Sequence, residues 1–137
     1  MSQLATYIAF PGNTREAFTY YRDVLGGELN LMGYEGMDTS GFPVQPAPDA
    51  VAHASLRFAG GELAGGDVMD DKDYPLRDTA YSLLYTLDDP NQAREVIEKL
   101  AADGGSQPMP FDRAPWGDWY GQVFDRFGVM WQFSVPA

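Results

Sequence analysis

Apolar residues recur along this chain with two alternating periods, and the switches between them mark out the elements. Residues 4–10 (LATYIAF) are apolar and β-prone and predict a strand, ended by Pro11-Gly12. Ala17, Phe18, Tyr21, Val24 and Leu25 then share one face of a helix. Asn13 stands three residues before Glu16, the spacing of a capping box, and Gly26-Gly27 offers the left-handed end a helix needs. Residues 28–34 predict the next strand. Residues 35–50, rich in Pro and Gly, predict a loop, and 51–58 and 62–66 two further strands. The second half follows the same grammar. Residues 80–87 form a strand, Asp89 caps a helix with Pro90 in its first position, and Gln92 completes the box. Ala93, Val96, Ile97, Leu100 and Ala101 make the buried stripe, Gly104-Gly105 ends the helix, and 106–112, 119–125 and 129–135 are strands. The last two form a hairpin within Trp116–Phe133, its register fixed by Gly128.

The pattern is β-α-β-β-β written twice, an α+β class. One such module cannot bury its own helix, so the expectation is a single domain over 1–137. It would consist of two repeats, roughly 1–66 and 80–137, joined by a linker at 67–79 and forming a curved mixed-sheet cup. At 137 residues, with 45% hydrophobic and 14% aromatic content, the chain is long and apolar enough to bury a core. The 9 basic and 20 acidic residues leave a formal charge of −11. That field repels phosphate backbones and anionic lipid, so neither nucleic acid nor membrane is an expected partner. There is no cysteine, which removes disulfides, thiolate catalysis and cysteine-based zinc sites. The N-terminus lacks the basic start and apolar run of a signal peptide, and no stretch is long enough to span a bilayer. A cytoplasmic protein is expected.

The ordered set of motifs adds to this reading. It runs Gly12-Asn13, Glu16-Ala17-Phe18, Tyr21, Gly26-Gly27-Glu28-Leu29, His53-Ala54, Asp88-Asp89-Pro90, Trp116-Gly117-Asp118, Tyr120-Gly121, Asp125, Phe127-Gly128 and Trp131. Together these resemble the vicinal oxygen chelate (glyoxalase/bleomycin resistance/dioxygenase) superfamily, most closely its PhnB-like branch, also labelled demethylubiquinone methyltransferase-like. The resemblance implies paired half-barrels, usually a homodimer, and no settled reaction. Metal-using members of the superfamily place one ligand on the first and last strand of each module. Matched through the helix caps, those places fall here at Thr6, Ala64, Ser82 and Gln132, none of them His, Asp or Glu. A shift of one residue would bring in Glu62 or Asp67. No metal and no cofactor is therefore expected.

His53 is the single imidazole, a candidate general base or proton relay, with a histidine that fixes a strand edge as the favoured reading. On the last strand Val129, Trp131, Phe133 and Val135 share one face, expected under a helix. Met130, Gln132 and Ser134 share the other, expected to line the cup with Thr6 and Ser82. Trp116, Trp119 and Tyr120 could stack on a flat ligand or close over the cup, or serve as core or dimer contact. Asp118 and Asp125 are expected to shape turns, Gly60-Gly61 a turn, and Gly65-Gly66 a strand bulge. No glycine-rich nucleotide loop follows a strand, which weighs against a methyltransferase. The expected function is binding of a small organic molecule by a metal-free pocket. The alternatives are a metal-dependent lyase, isomerase or dioxygenase, and a non-catalytic drug-sequestering protein.

Overall fold

A computed structural model describes residues 2–70 and 72–137. The elements run β1 (Thr6–Phe10), α1 (Thr14–Leu25), β2 (Glu28–Met32), β3 (His53–Phe58) and β4 (Gly61–Asp67). They continue as β5 (Leu83–Thr86), α2 (Pro90–Ala101), β6 (Ser106–Arg113), β7 (Trp119–Phe124) and β8 (Met130–Val135). The duplicated β-α-β-β-β order is present, with β1, β2 and β5 shorter than the runs that predicted them. The chain divides into two compact units, one ending at Tyr74 and one beginning at Pro75.

In the first unit the strand order is β1-β4-β3-β2, with β1 parallel to β4 and the other pairs antiparallel. Helix α1 buries Thr14, Ala17, Phe18 and Tyr21 on one face of this sheet, while Val24 and Leu25 stay half-buried. Phe10 meets Phe18 edge-on at 6.0 Å and Tyr21 at 6.5 Å, all three wholly buried. Each such side chain contributes about 1.5–3 kcal/mol when removed from water.

The start of α1 departs from the expected capping box. Asn13 makes no side-chain cap bond. The Thr14 N–H instead donates to Asp67 Oδ1 at 3.1 Å, and Asp67 Oδ2 accepts from the Val51 N–H at 2.8 Å. The last residue of β4 thus caps a helix 53 positions earlier in the chain and fixes the entry to β3. Gly65 and Gly66 are not a bulge. Both sit in register opposite Ile8 and Ala9 of β1, and Gly65 also pairs with Ala54 of β3. A Cβ at Gly65 would lie 2.7 Å from the Ile8 carbonyl oxygen and 2.8 Å from Phe18, so only glycine lets the helix approach.

In the second unit the order is β5-β8-β7-β6, again with one parallel pair, β5 with β8. Asp89 caps α2 by accepting from the Asn91 N–H at 2.9 Å, with Pro90 beginning the helix. Ala93, Val96, Ile97 and Leu100 are buried against the sheet face that carries Trp131, Phe133 and Val135. Helix α2 ends three residues before Gly104. Gly105 allows a close approach, since a Cβ there would lie 2.5 Å from the Leu100 oxygen and 2.6 Å from the Phe124 oxygen. Strand β6 is an edge, with Pro108 and Pro110 inside it and two register shifts against β7.

The β7–β8 turn is built on Asp125, a carboxylate with no solvent exposure. Its Oδ1 accepts from the Phe127 N–H at 2.9 Å and the Val129 N–H at 3.1 Å, and its Oδ2 from the Trp131 indole N–H at 2.9 Å. The Asx geometry expected of this residue is therefore accompanied by a side-chain link into β8. Asp118 accepts from the Ala137 N–H at 3.1 Å.

Candidate functional site

Each sheet has one face under its helix and one open face. Side chains alternate along a strand, so register decides which residues share the open face. In the second unit, β7 and β8 pair Gln122 with Gln132, Tyr120 with Ser134 and Phe124 with Met130. Strand β5 sets Leu84 beside Gln132. Gln132, Ser134 and Met130 alternate with the buried Trp131, Phe133 and Val135, and so lie on the open face.

A continuous run of hydrogen bonds crosses this face. Gln122 Nε2 donates to the Tyr120 hydroxyl at 2.9 Å, that hydroxyl donates to Gln132 Oε1 at 2.5 Å, and Gln132 Nε2 donates to Ser82 Oγ at 2.7 Å. Bond polarity runs one way, from the Gln122 amide to the Ser82 hydroxyl. Trp116, 66% exposed, sets its ring 5.7 Å from that of Tyr120 at 59°. The structure therefore brings Ser82, Gln132, Tyr120 and Trp116 together, with Met130 and Ser134 on either side of Gln132. Gln122 is the member that sequence reasoning missed. Its signal was present: two residues beyond Tyr120 on one strand, and opposite Gln132 once the hairpin closes.

Thr6 is not placed with an open face. It shares the parity of Ile8 and Phe10, the residues directed toward α1. The open-face residue of β1 is Tyr7, which pairs with Ala64, whereas Gln132 pairs with Leu84. Tyr7 gathers a second polar group on the first sheet. Its ring lies 6.3 Å from the exposed His53 ring. Glu62 Oε1 accepts from Ser55 Oγ at 2.8 Å and from Arg57 Nε at 3.3 Å, and Oε2 from Gln3 Nε2 at 3.2 Å. The Ser55 hydroxyl first, then Arg57 and at longer range His53, hold the Glu62 carboxyl below its ordinary range. Burial, and then the neighbouring Tyr34 and Asp67, push the Tyr7 phenol upward.

A divalent metal of the kind used in this type of fold needs imidazole or carboxylate donors. Ala64 supplies none. Gln132 Oε1 already accepts from the Tyr120 hydroxyl and Ser82 Oγ from Gln132 Nε2, Thr6 lies on the helix side, and its open-face neighbour Tyr7 resists ionisation. Glu62 is engaged by three donors, and Asp67 holds Thr14 and Val51. These residues do not fit such an ion. Among the described residues, no three His, Asp or Glu side chains form a group able to hold a metal.

The Glyoxalase/Bleomycin resistance protein/Dioxygenase superfamily model matches residues 3–133. The chain belongs to that superfamily. Within it, the protein is 29% identical to Protein YjdN of Escherichia coli K12, over 96% of this chain and 94% of that one. Its fold follows that of PA1353 from Pseudomonas aeruginosa, with a TM-score of 0.83, 29% identity, and coverage of 99% and 98% of the two chains. A PhnB protein from Bacillus cereus, described as a putative 3-demethylubiquinone-9 3-methyltransferase, superposes with a TM-score of 0.76 at 25% identity, covering 98% and 99%. The glyoxalase-type α+β fold is thus shared along the whole chain. No described helix is long and apolar enough to cross a membrane.

Proposed function

We propose that this superfamily member is a metal-independent small-molecule-binding protein of the PhnB-like kind, with its ligand held on the open face of the second sheet. The observation that carries this reading is the hydrogen-bond run Gln122–Tyr120–Gln132–Ser82. Neutral polar groups ordered among apolar neighbours recognise a ligand by direction rather than by charge. The run ends in two unmatched groups, the Ser82 hydroxyl hydrogen and the Gln122 carbonyl. A ligand with an acceptor and a donor at matching separation satisfies both, while Met130 and Ser134 flank it and Trp116 supplies a flat wall. His53 and Thr6 stand outside this group, and the reading gives neither a role in binding.

The test uses volume-conserving variants. Small organic molecules that stabilise the wild-type protein in a thermal-shift screen are titrated into Gln132→Met and Tyr120→Phe. Affinity should fall about tenfold, as expected for loss of one oriented hydrogen bond. Wild-type affinity in both variants defeats the proposal, and stoichiometric zinc, nickel, manganese or iron in purified protein defeats its metal-independent part. Two further parts of the proposal concern context. The highly exposed Leu4, Tyr81 and Leu84 support a homodimer, which a monomeric mass by light scattering would reject. A cytoplasmic setting is the remaining part, and cell fractionation checks it.

A further inference from the structure

The loop between β2 and β3 is folded on itself. Met37 N–H donates to the Tyr34 carbonyl and Phe42 N–H to the Thr39 carbonyl, both at 3.0 Å. Thr39 Oγ donates to Gln45 Oε1 at 3.1 Å, and Gln45 Nε2 returns a bond to the Thr39 carbonyl at 2.9 Å. The roof so formed borders, with the turn after β1 and the end of β4, a partly open cavity of about 170 Å³. That is close to the roughly 150 Å³ that accommodates one benzene ring in an engineered cavity.

The chemistry of the walls is specific. Tyr34 and Phe42 meet edge-to-face at 5.6 Å and 79°, forming an aromatic corner. Val44 and Met69 add apolar surface, and the charged groups in the lining are Asp49 and Asp67. Among the described residues, no Lys, Arg or His lines the cavity. Asp67 is bound to two backbone N–H groups. Among the described residues no ion pair involves Asp49, so its carboxylate is available to an occupant. Aromatic faces and carboxylates share one preference, a positive charge on a weakly hydrated body. An anion meets two like charges, and a neutral molecule gains only contact area.

We propose that this cavity binds a small organic cation, a quaternary or tertiary ammonium on a compact apolar body. The overall charge of −11 raises the local concentration of such a ligand. The site shares no residue with the open face of the second sheet, so the two proposals stand or fall separately. The experiment is a nuclear magnetic resonance titration of the full chain with choline, its uncharged carbon isostere dimethylbutanol, and the anion dimethylbutanoate. Choline should shift Tyr34, Phe42, Val44 and Met69 saturably. The isostere should bind about tenfold more weakly and the anion should not bind. Asp49→Asn, an exposed loop change, should weaken choline about threefold and leave the isostere unchanged. Phe42→Ala should abolish both, and unchanged melting of each variant shows that the fold is retained. Equal binding of choline and isostere overturns the proposal, as does an Asp49→Asn variant that binds choline like wild type, or choline that leaves the cavity residues unmoved.

Discussion

Replacing Asp125 tests whether one buried carboxylate holds the β7–β8 hairpin and, through it, the polar run on the open face. Its three donors are Phe127 N–H, Val129 N–H and the Trp131 indole N–H, at 2.9, 3.1 and 2.9 Å. Asp125→Ala leaves all three without this acceptor at a site with no solvent exposure. Each orphaned donor costs about 1–3 kcal/mol, and partial water entry into the vacated space brings the expected total to about 3–6 kcal/mol. Asp125→Asn is more discriminating. Its carbonyl oxygen can keep both backbone bonds, but the amide NH₂ then faces the indole N–H, donor against donor, for a loss of about 2–3 kcal/mol. Trp131→Phe removes that donor. In the Trp131→Phe background the Asn substitution should therefore cost at least 1 kcal/mol less, roughly the value of one unmatched donor. Urea unfolding followed by far-ultraviolet circular dichroism supplies the four free energies of the cycle. An Asp125→Asn loss under about 0.5 kcal/mol, or strict additivity with Trp131→Phe, refutes the reasoning.

Two other outcomes follow from the first unit. Asp67→Ala removes the acceptor for both Thr14 and Val51 and should destabilise the protein by about 2–4 kcal/mol, read from denaturant midpoints. For Glu62 the sign comes from its lowered pKa: the folded state favours the carboxylate relative to the ordinary value of 4.5. Its contribution is then fully present above that value and lost as pH falls through the lower folded one. Glu62→Gln should lower stability at neutral pH and flatten the acid limb below about 4.5, so that the two curves converge in acid; a curve parallel to wild type counts against it.

How far the sequence foretold this molecule depends on the distance over which each feature is determined. The Asp89-Pro90 helix start and the Asp125–Gly128 turn are local, set by residues a few positions apart, and both were legible. The cap on α1 was not. Asn13 and Glu16 have the right spacing, but Asp67 arrives from the far end of β4 and takes the first amide, an event no local pattern records. The face assignment of β1 failed for a related reason. Matching the halves through their helix caps aligned Thr6 with Ser82, whereas the ladders align Tyr7 with Leu84. A displacement of one residue in a strand turns every side chain to the opposite face. Gln122 escaped notice because a lone glutamine in a strand carries no signal until its partner across the hairpin is known. The cavity under the β2–β3 loop was hidden for the same reason: composition identified a loop, but not that Thr39 and Gln45 would tie it shut.

Strand β6 has a consequence for how this protein avoids unwanted growth. Proline has no amide hydrogen, so Pro108 and Pro110 interrupt the row of donors that an incoming strand would need, and the register shifts on either side of Met109 spoil its spacing. That margin cannot template a fibril or capture a stray extended peptide. Whatever meets the molecule there must be recognised by its side chains.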